Sequence, residues 1–258
     1  MLKDKIVFIT GASSGIGEAC AKQFAKAGAH LLLCARRIER LNDLAQQIQQ
    51  THAVKVYPLQ LDVTQNEKVM DAFHTLPNDW KNIDILINNA GLALGLDFFQ
   101  EGNLDDWERM IDTNVKGLLY ITKAVLPHML KRKIGHIINL GSVAGHEVYP
   151  KGAVYCASKF AVDALTKGLR LDLNGSNIRV SAIDPGAVET NFSKVRFKGN
   201  AERAAAVYEG IQALTANDIA ETILYCASRP AHINISELTI LPTAQASATL
   251  IARNKKQE

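Results

Sequence analysis

The sequence predicts an α/β fold: one domain built on a doubly wound parallel sheet of about seven strands, with helices on both faces. Three observations predict it. Short apolar runs alternate with longer stretches of helical periodicity along the whole chain. The runs are apolar on both faces, as strands of a sheet covered on each side must be. The 258 residues hold no internal repeat, low-complexity tract or linker that would divide them, and α/β folds of this length routinely form one unit.

The elements follow in order. Residues 5–10 carry Ile6, Val7, Phe8 and Ile9 and read as a strand; 15–27 follow as a helix, with Ala19, Phe24 and Ala27 on its apolar positions. Residues 30–35 form a second strand on Leu31, Leu32 and Leu33, before a helix near 38–50. A third strand at 54–59 precedes a helix near 65–76, and a fourth strand at 83–88 is built on Ile83, Ile85, Leu86 and Ile87. A long helical stretch over 104–131 is expected to break only at Pro127, whose ring removes a backbone donor. Residues 135–140 are a fifth strand, 153–173 a helix, 178–183 a sixth strand and 236–241 a last one. The least regular stretch, 191–210, carries Arg196, Lys198 and Arg203 and reads as a mobile lid. The domain is expected to span 1–250, with 251–258 a frayed, solvated tail.

Composition narrows the function classes. The formal charge of +3 is small, and much of it sits in Arg253, Lys255 and Lys256. No basic face or arm emerges, which argues against nucleic acid as a partner. The four cysteines, Cys20, Cys34, Cys156 and Cys226, form no C-x-x-C pair and no zinc-like cluster with histidine, so no metal is expected. Cys34 lies in an apolar run and reads as a buried thiol, consistent with a reducing compartment. The chain passes from Lys3-Asp4-Lys5 straight into a strand, without a signal peptide. No apolar run approaches the ~20 residues that span a bilayer. A cytoplasmic protein without a membrane partner is the expectation.

The turn between the first strand and first helix carries Gly11, Ser13, Ser14, Gly15, Ile16 and Gly17, a G-x-x-x-G-x-G spacing. Glycine permits a tight turn and close approach of backbone to a pyrophosphate, and the helix N-terminus supplies free N–H groups and a positive dipole. An ordinary glycine-rich turn is the plainer reading, but this one stands directly after the first strand. At the end of the second strand, folds that bind NAD place an acid for the ribose hydroxyls. Here Ala35, Arg36 and Arg37 stand instead. A carboxylate would repel a 2′-phosphate, whereas arginine pairs with it through charge-assisted hydrogen bonds. NADP(H) is therefore the expected cofactor; the alternative is that both arginines merely open a solvated helix.

Tyr155 and Lys159 stand at i and i+4, so on a helix they share a face. Free tyrosine titrates near pH ~10 and is a poor base at neutrality. A lysine charge about 4 Å away, at an effective dielectric of about 20, is worth roughly 4 kcal/mol. That field would lower the phenol by up to ~3 units before desolvation opposes it. Ser142 follows the fifth strand, and Asn88, Asn89, Ala90 and Gly91 end the fourth, at the edge where parallel sheets gather ligands. Asn114 lies mid-helix, where an asparagine has little local reason to be. Each residue alone has a structural reading; together they describe one site.

This set resembles the short-chain dehydrogenase/reductase family, a Rossmann-type fold, over nearly the whole length. It comprises the loop at 10–17, Asp62-Val63, Asn88 to Gly91, Asn114, Ser142, Tyr155, Lys159 and Pro185-Gly186. The resemblance implies that Tyr155 is the proton donor or acceptor, that Lys159 lowers its pKa and binds the nicotinamide ribose, and that Ser142 holds the substrate oxygen. It further implies that Asn114 supports a water in a proton relay. Asp62 and Val63 would contact adenine, Asn89 with Ala90 and Gly91 the adjoining ribose, and Pro185, Gly186, Val188 and Thr190 the nicotinamide and pyrophosphate. It also implies a homotetramer, with the helices at 104–131 and 153–173 packing across subunits.

The C-terminal third resembles a narrower branch, the NADP-dependent 3-hydroxy acid dehydrogenases, which act on serine, allo-threonine and similar acids. The stretches concerned are 155–162, 185–190, 192–199 and 241–246, although Ala244 replaces a polar residue expected there. A 3-hydroxy acid needs a cation a few ångströms from the reacting carbon, and Arg196 offers a bidentate clamp for its carboxylate. The alternative leaves Arg196 solvated or paired with Glu147 or Glu189. Glu147, five residues past Ser142, either lines the pocket and attracts a substrate ammonium or faces water. Two other functions stay open on this scaffold: reduction of uncharged carbonyls, and nucleotide sensing without catalysis. The intact Ser142, Tyr155 and Lys159 argue against the sensor, since a pure binding module needs no phenol–ammonium pair.

Overall fold

The structure is a computed structural model that describes residues 2–254. The chain folds as β1 (Ile6–Thr10), α1 (Gly15–Lys26), β2 (His30–Ala35), α2 (Ile38–Thr51), β3 (Val56–Gln60), α3 (Asn66–Thr75) and β4 (Ile85–Asn88). It continues through α4 (Leu104–Ile111), α5 (Gly117–Arg132), β5 (Gly135–Leu140), α6 (Ala153–Asp172) and β6 (Ile178–Pro185). A short strand β7 (Val188–Glu189), helices α7 (Asn191–Arg196) and α8 (Ala201–Ala206), β8 (Leu214–Thr215), α9 (Ala216–Ala227) and β9 (Glu237–Ile240) complete it. The main sheet has seven parallel strands in the order β3-β2-β1-β4-β5-β6-β9. This is the predicted single-domain, doubly wound α/β fold.

Strand alternation splits the core into two layers. Val7, Ile9, Leu31, Leu33 and Ile87 face α1, α2 and α9, where Phe24, Leu44 and Ile223 meet them. Phe8, Leu32, Leu86, Ile137 and Val180 face α3 and α5, packing on Phe73, Ile121 and Met129. Because both faces are covered there, the central strands β1, β2 and β4 read as continuous apolar runs. The order reverses beside β1: β2 and β3 build outward on one side, β4 to β9 on the other. A crevice therefore opens past the C-terminal ends of β1 and β4, where ligands of such sheets bind.

Three expectations need correction. The stretch 104–131 does not break at Pro127, which lies inside α5; it changes pitch earlier, in a π-helical turn at Asp112–Lys116. Such turns often mark functional sites, and Asn114 sits in this one. Residues 191–210 are not irregular, since α7 and α8 occupy most of them. Tyr208 ties the segment to the body: its hydroxyl donates to Val188 O at 2.8 Å and lies 2.7 Å from Ser193 Oγ. Finally, residues 251–254 are not frayed. Ala252 N donates to Ala244 O and Asn254 N to Gly210 O, while Arg253 Nη2 donates to Val207 O. Lys255 and Lys256 lie outside the described residues. Among the described residues, no helix is long and apolar enough to cross a membrane.

Candidate active site

The crevice is a cleft of about 500 Å³. Its floor begins at the β1–α1 turn, where Gly11, Ser13, Ser14, Gly15 and Ile16 line it. Gly11 has φ 66°, and a Cβ there would stand 3.0 Å from Ala90 Cα. Gly17 does not line the cleft; a Cβ on it would come 2.5 Å from Gly11 O, so its absence lets α1 close onto the turn. Asn89 holds this turn from the neighbouring strand: its Nδ2 donates to Thr10 O at 2.8 Å and to Gly11 O at 3.3 Å. Thr10 Oγ1 answers by accepting from the backbone N–H groups of Asn89 and Ala90.

Arg36, Arg37, Asp62 and Val63 form one end of the cleft. Arg37 Nη2 donates to Ser13 Oγ at 3.0 Å and Ser14 Oγ at 3.4 Å, arching over the glycine turn. Its pKa is lowered, first by burial and then by the charges of Arg40 and Arg36. A cluster of guanidiniums that repel one another favours an anion among them. Arg40, one turn into α2, escaped the sequence reading because it lies beyond the strand end that the family pattern marks. Asp62 Oδ1 accepts from Thr64 N and Thr64 Oγ1, so its carboxylate shapes the turn after β3 as it lines the cleft. The glycine cradle, the serines and the arginines together fit a dinucleotide carrying a 2′-phosphate.

Asn89, Ala90, Gly91, Ser142, Tyr155, Lys159, Pro185, Gly186, Val188 and Thr190 line the other end. Asn114, inside the π turn, reaches in from behind. Its Oδ1 accepts from Leu92 N at 2.8 Å; its Nδ2 donates to Leu92 O and to Ser158 Oγ, each at 2.9 Å. Ser158 Oγ in turn donates to Tyr155 O at 2.7 Å. Both amide hydrogens of Asn114 are committed, so the side chain positions the Tyr155 turn of α6 and has no donor left for a water. Ser142 N donates to the buried Asp184 Oδ1 at 3.1 Å, and Ala144 N donates to Ser142 Oγ. Gln245, which sequence reasoning missed, accepts from Ala187 N at 2.8 Å and braces the loop after Pro185.

The electrostatics of Tyr155 differ from the expectation. Burial pushes its phenol above the usual range, and neighbouring Tyr149 pushes the same way; the Arg196 guanidinium and then the Ser142 hydroxyl oppose them. Lys159 is not among the groups that lower it. Its Nζ donates to Leu140 O at 2.8 Å, and burial lowers its own pKa to about 8, opposed by the charge of Asp184. Tyr155 and Lys159 both line the cleft from α6, but desolvation, which residue spacing does not reveal, dominates this buried pair.

Arg196 is half-buried, with its guanidinium carbon 4.9 Å from the centre of the Tyr155 ring and 5.5 Å from that of Phe192. Its Nη2 donates to Tyr149 Oη at 2.6 Å, and its buried Nε has no hydrogen-bond partner. Among the described residues it pairs with neither Glu147 nor Glu189. Glu147 does not line the cleft. Its Oε2 accepts from Ala248 N at 3.0 Å, fastening the C-terminal turn, which corrects the reading that it meets a substrate ammonium.

A Rossmann cleft with Tyr155, Lys159 and Ser142 at its mouth defines a nicotinamide-dependent oxidoreductase. The short chain dehydrogenase family profile matches residues 5–201, and the chain belongs to that family. It is similar to the NADP-dependent 3-hydroxy acid dehydrogenase YdfG of Salmonella typhi, 45% identical over 95% of this chain and 98% of that protein. A Schizosaccharomyces pombe relative of the same activity name is 42% identical over 98% of each chain. Among solved structures, the closed form of serine dehydrogenase complexed with NADP+ superposes with a TM-score of 0.90, at 42% identity over 97% of this chain and all of that one.

Proposed function

We propose that the protein is an NADP(H)-dependent dehydrogenase of small 3-hydroxy acids of the serine class. The observation that carries the substrate class is Arg196: a half-buried guanidinium 4.9 Å from the Tyr155 ring that no carboxylate of the described residues pairs with. Arg196 is not among the residues that line the cleft, but Phe192 and Val195 of the same helix are, and a substrate carboxylate two bonds from the reacting carbon would meet the guanidinium beside Tyr155. The similarity to 3-hydroxy acid dehydrogenases over almost the full length supports the same reading.

NADP+, when bound, would supply the hydride acceptor; the residues of this chain handle the proton and the geometry. Ser142 Oγ holds the substrate oxygen. Tyr155 Oη takes the hydroxyl proton in oxidation and returns it in reduction. Lys159, 6% exposed, lines the same cleft, where it would bind the nicotinamide ribose. Arg196 fixes the carboxylate and lowers the phenol. Gly11 and Ser13 to Ile16 would cradle the pyrophosphate, and Arg36 and Arg37 would take the 2′-phosphate. A panel of L-serine, 3-hydroxy acids and uncharged alcohols of similar size, read by NADPH formation, tests the assignment. Turnover of the uncharged compounds alone would favour the carbonyl reductase, and no turnover would favour the sensor.

The cofactor reading has its own test. NADP(H) is expected to be preferred over NAD(H) by ten-fold or more, the order of a charge-assisted contact of ~1.5–3 kcal/mol. Replacing Arg36 and Arg37 together with alanine should abolish that preference in kcat/KM. An unchanged preference in the double variant would place the 2′-phosphate elsewhere.

The finer setting of the enzyme is inferred from its surface. Leu104 and Leu119 on α4 and α5, and Phe160 and Leu171 on α6, are exposed at 67%, 41%, 40% and 78%. These are the helices that the family resemblance packs across subunits, and a homotetramer is the proposed assembly. Light scattering coupled to size exclusion should give four times the 28.2 kDa chain mass; a monomer would refute it. The four buried, unpaired cysteines suit a cytoplasmic location.

A further inference from the structure

Behind Ser142, on the far side of Asp184 from the cleft, three side chains distant in sequence converge. Asp184 stands near the end of β6, Glu237 opens the edge strand β9, and His146 follows the loop that Ser142 begins. The strand register pairs Glu237 with Ala182 and Thr239 with Asp184. Because side chains alternate across a strand, Glu237 and Asp184 project from the same face as diagonal neighbours. His146 comes down on that face. Its Nε2 lies 3.4 Å from Asp184 Oδ2 and 3.8 Å from Glu237 Oε1, and the three ligand atoms all lie within 4.8 Å of one another.

Two of these atoms are in an unusual state. Asp184 is 2% exposed, and its Oδ1 is satisfied by Ser142 N. Its Oδ2 is buried and aimed at His146 Nε2; the two face each other at 3.4 Å as an ion-pair contact, and neither buried atom has a well-formed hydrogen bond. Leaving such groups unmade costs about 1–3 kcal/mol each, and two carboxylates facing one small space add their mutual repulsion. Lys167 relieves it only in part. Its Nζ stands 3.8 Å from the other oxygen of Glu237, Oε2, and its nearer partner is Asp163 at 2.8 Å.

The spacing suits a metal better than a hydrogen bond. Zinc bound to imidazole nitrogen and carboxylate oxygen at about 2.0–2.2 Å in a tetrahedron sets its ligands roughly 3.4 Å apart. The His146–Asp184 edge already has that length, and Glu237, about a third exposed, must swing inward to complete the face. Imidazole with two carboxylates is a donor set that zinc-class ions accept, with water in the fourth place.

We propose that His146, Asp184 and Glu237 form a binding site for one divalent transition-metal ion of the zinc class, which ties the Ser142 loop to the C-terminal edge of the sheet. The ion sits behind the cleft, and Asp184 bridges it to the Ser142 backbone. Its role is to stiffen the loop that carries Ser142.

The test uses the full-length protein, stripped with chelator and then titrated with Zn2+ and Co2+. One ion per chain is expected, with a Kd below about 10 μM. Bound Co2+ should show visible d–d absorption without a thiolate charge-transfer band, since all four cysteines are buried elsewhere. Added Zn2+ should raise the melting temperature. His146→Ala and, separately, Glu237→Gln should each weaken binding at least about ten-fold and abolish the thermal shift, while both melt cooperatively in chelator. Glu237 is on an edge strand and tolerates the isosteric change, so its variant keeps the test valid if His146→Ala folds poorly. Absence of uptake by the wild-type protein, or uptake unchanged in Glu237→Gln, overturns the proposal.

Discussion

Tyr155→Phe is expected to lower hydride-transfer turnover by ~10²–10⁴, the range spanned by a positioned acid/base group, while NADPH still binds. The substitution removes one oxygen and little else. The ring keeps its edge-to-face contact with Phe192, centres 5.7 Å apart, and its place beneath the Arg196 guanidinium. Ser142 keeps its backbone bond to Asp184 and Lys159 its bond to Leu140. The sign of the wild-type pH dependence follows from the phenol. Oxidation needs the phenolate, and burial holds the Tyr155 pKa above the usual range. Oxidation should therefore accelerate as pH rises toward that pKa, and reduction, which needs the proton, should not. In the variant the phenol-linked rise should vanish. Stopped-flow transients of NADPH formation, with cofactor affinity measured by fluorescence, check both halves. Wild-type-like turnover would sink the assignment of Tyr155.

The elements were legible where one local signal decides them. β2 and β5 coincide with their predicted limits, because their residues face apolar neighbours on both sides and the runs stop at Ala35 and Leu140. The cofactor end was legible for a related reason: a glycine turn, its serines and a strand-end arginine pair all lie within one βα unit and the start of the next. What failed depends on contacts between distant segments. Nothing local to Pro127 shows that α5 runs through it, nor does the spacing around Asn114 show a π turn. The partners of Asn114 at Leu92 and Ser158 are 22 and 44 residues away. Gln245 reaches the loop at Ala187 across 58 residues, and Glu147 finds Ala248 across 101. The balance at Tyr155 turned on desolvation, which a spacing argument does not contain. His146, Asp184 and Glu237 likewise come from three elements with no common spacing.

Arg196→Ala is expected to raise KM for L-serine or another 3-hydroxy acid by about 10- to 150-fold, the equivalent of a charge-assisted pair of ~1.5–3 kcal/mol. An uncharged alcohol of similar size should show little change in KM. The guanidinium is pre-organised for the task. It stacks among Tyr149, Tyr155 and Phe192, with centre distances of 5.7, 4.9 and 5.5 Å, and Tyr149 Oη fixes one of its nitrogens. Arg196→Lys should recover only part of the loss, because an ammonium lacks the planar fork that meets both carboxylate oxygens. A second effect separates itself by substrate. Arg196 also opposes the upward shift of the Tyr155 pKa, so its removal should move the pH profile of oxidation upward for charged and uncharged substrates alike. The KM effect should fall on the charged ones only. The variant loses the side-chain bond to Tyr149 but keeps a backbone link from α7 to the body, in which Gly95 N donates to Arg196 O at 3.0 Å. A thermal melt checks that, because an unfolded α7 would imitate lost affinity. If Arg196→Ala weakens charged and uncharged substrates equally while the melt is unchanged, the arginine serves only packing and the pH effect. The 3-hydroxy acid assignment would then lose its structural basis in the cleft.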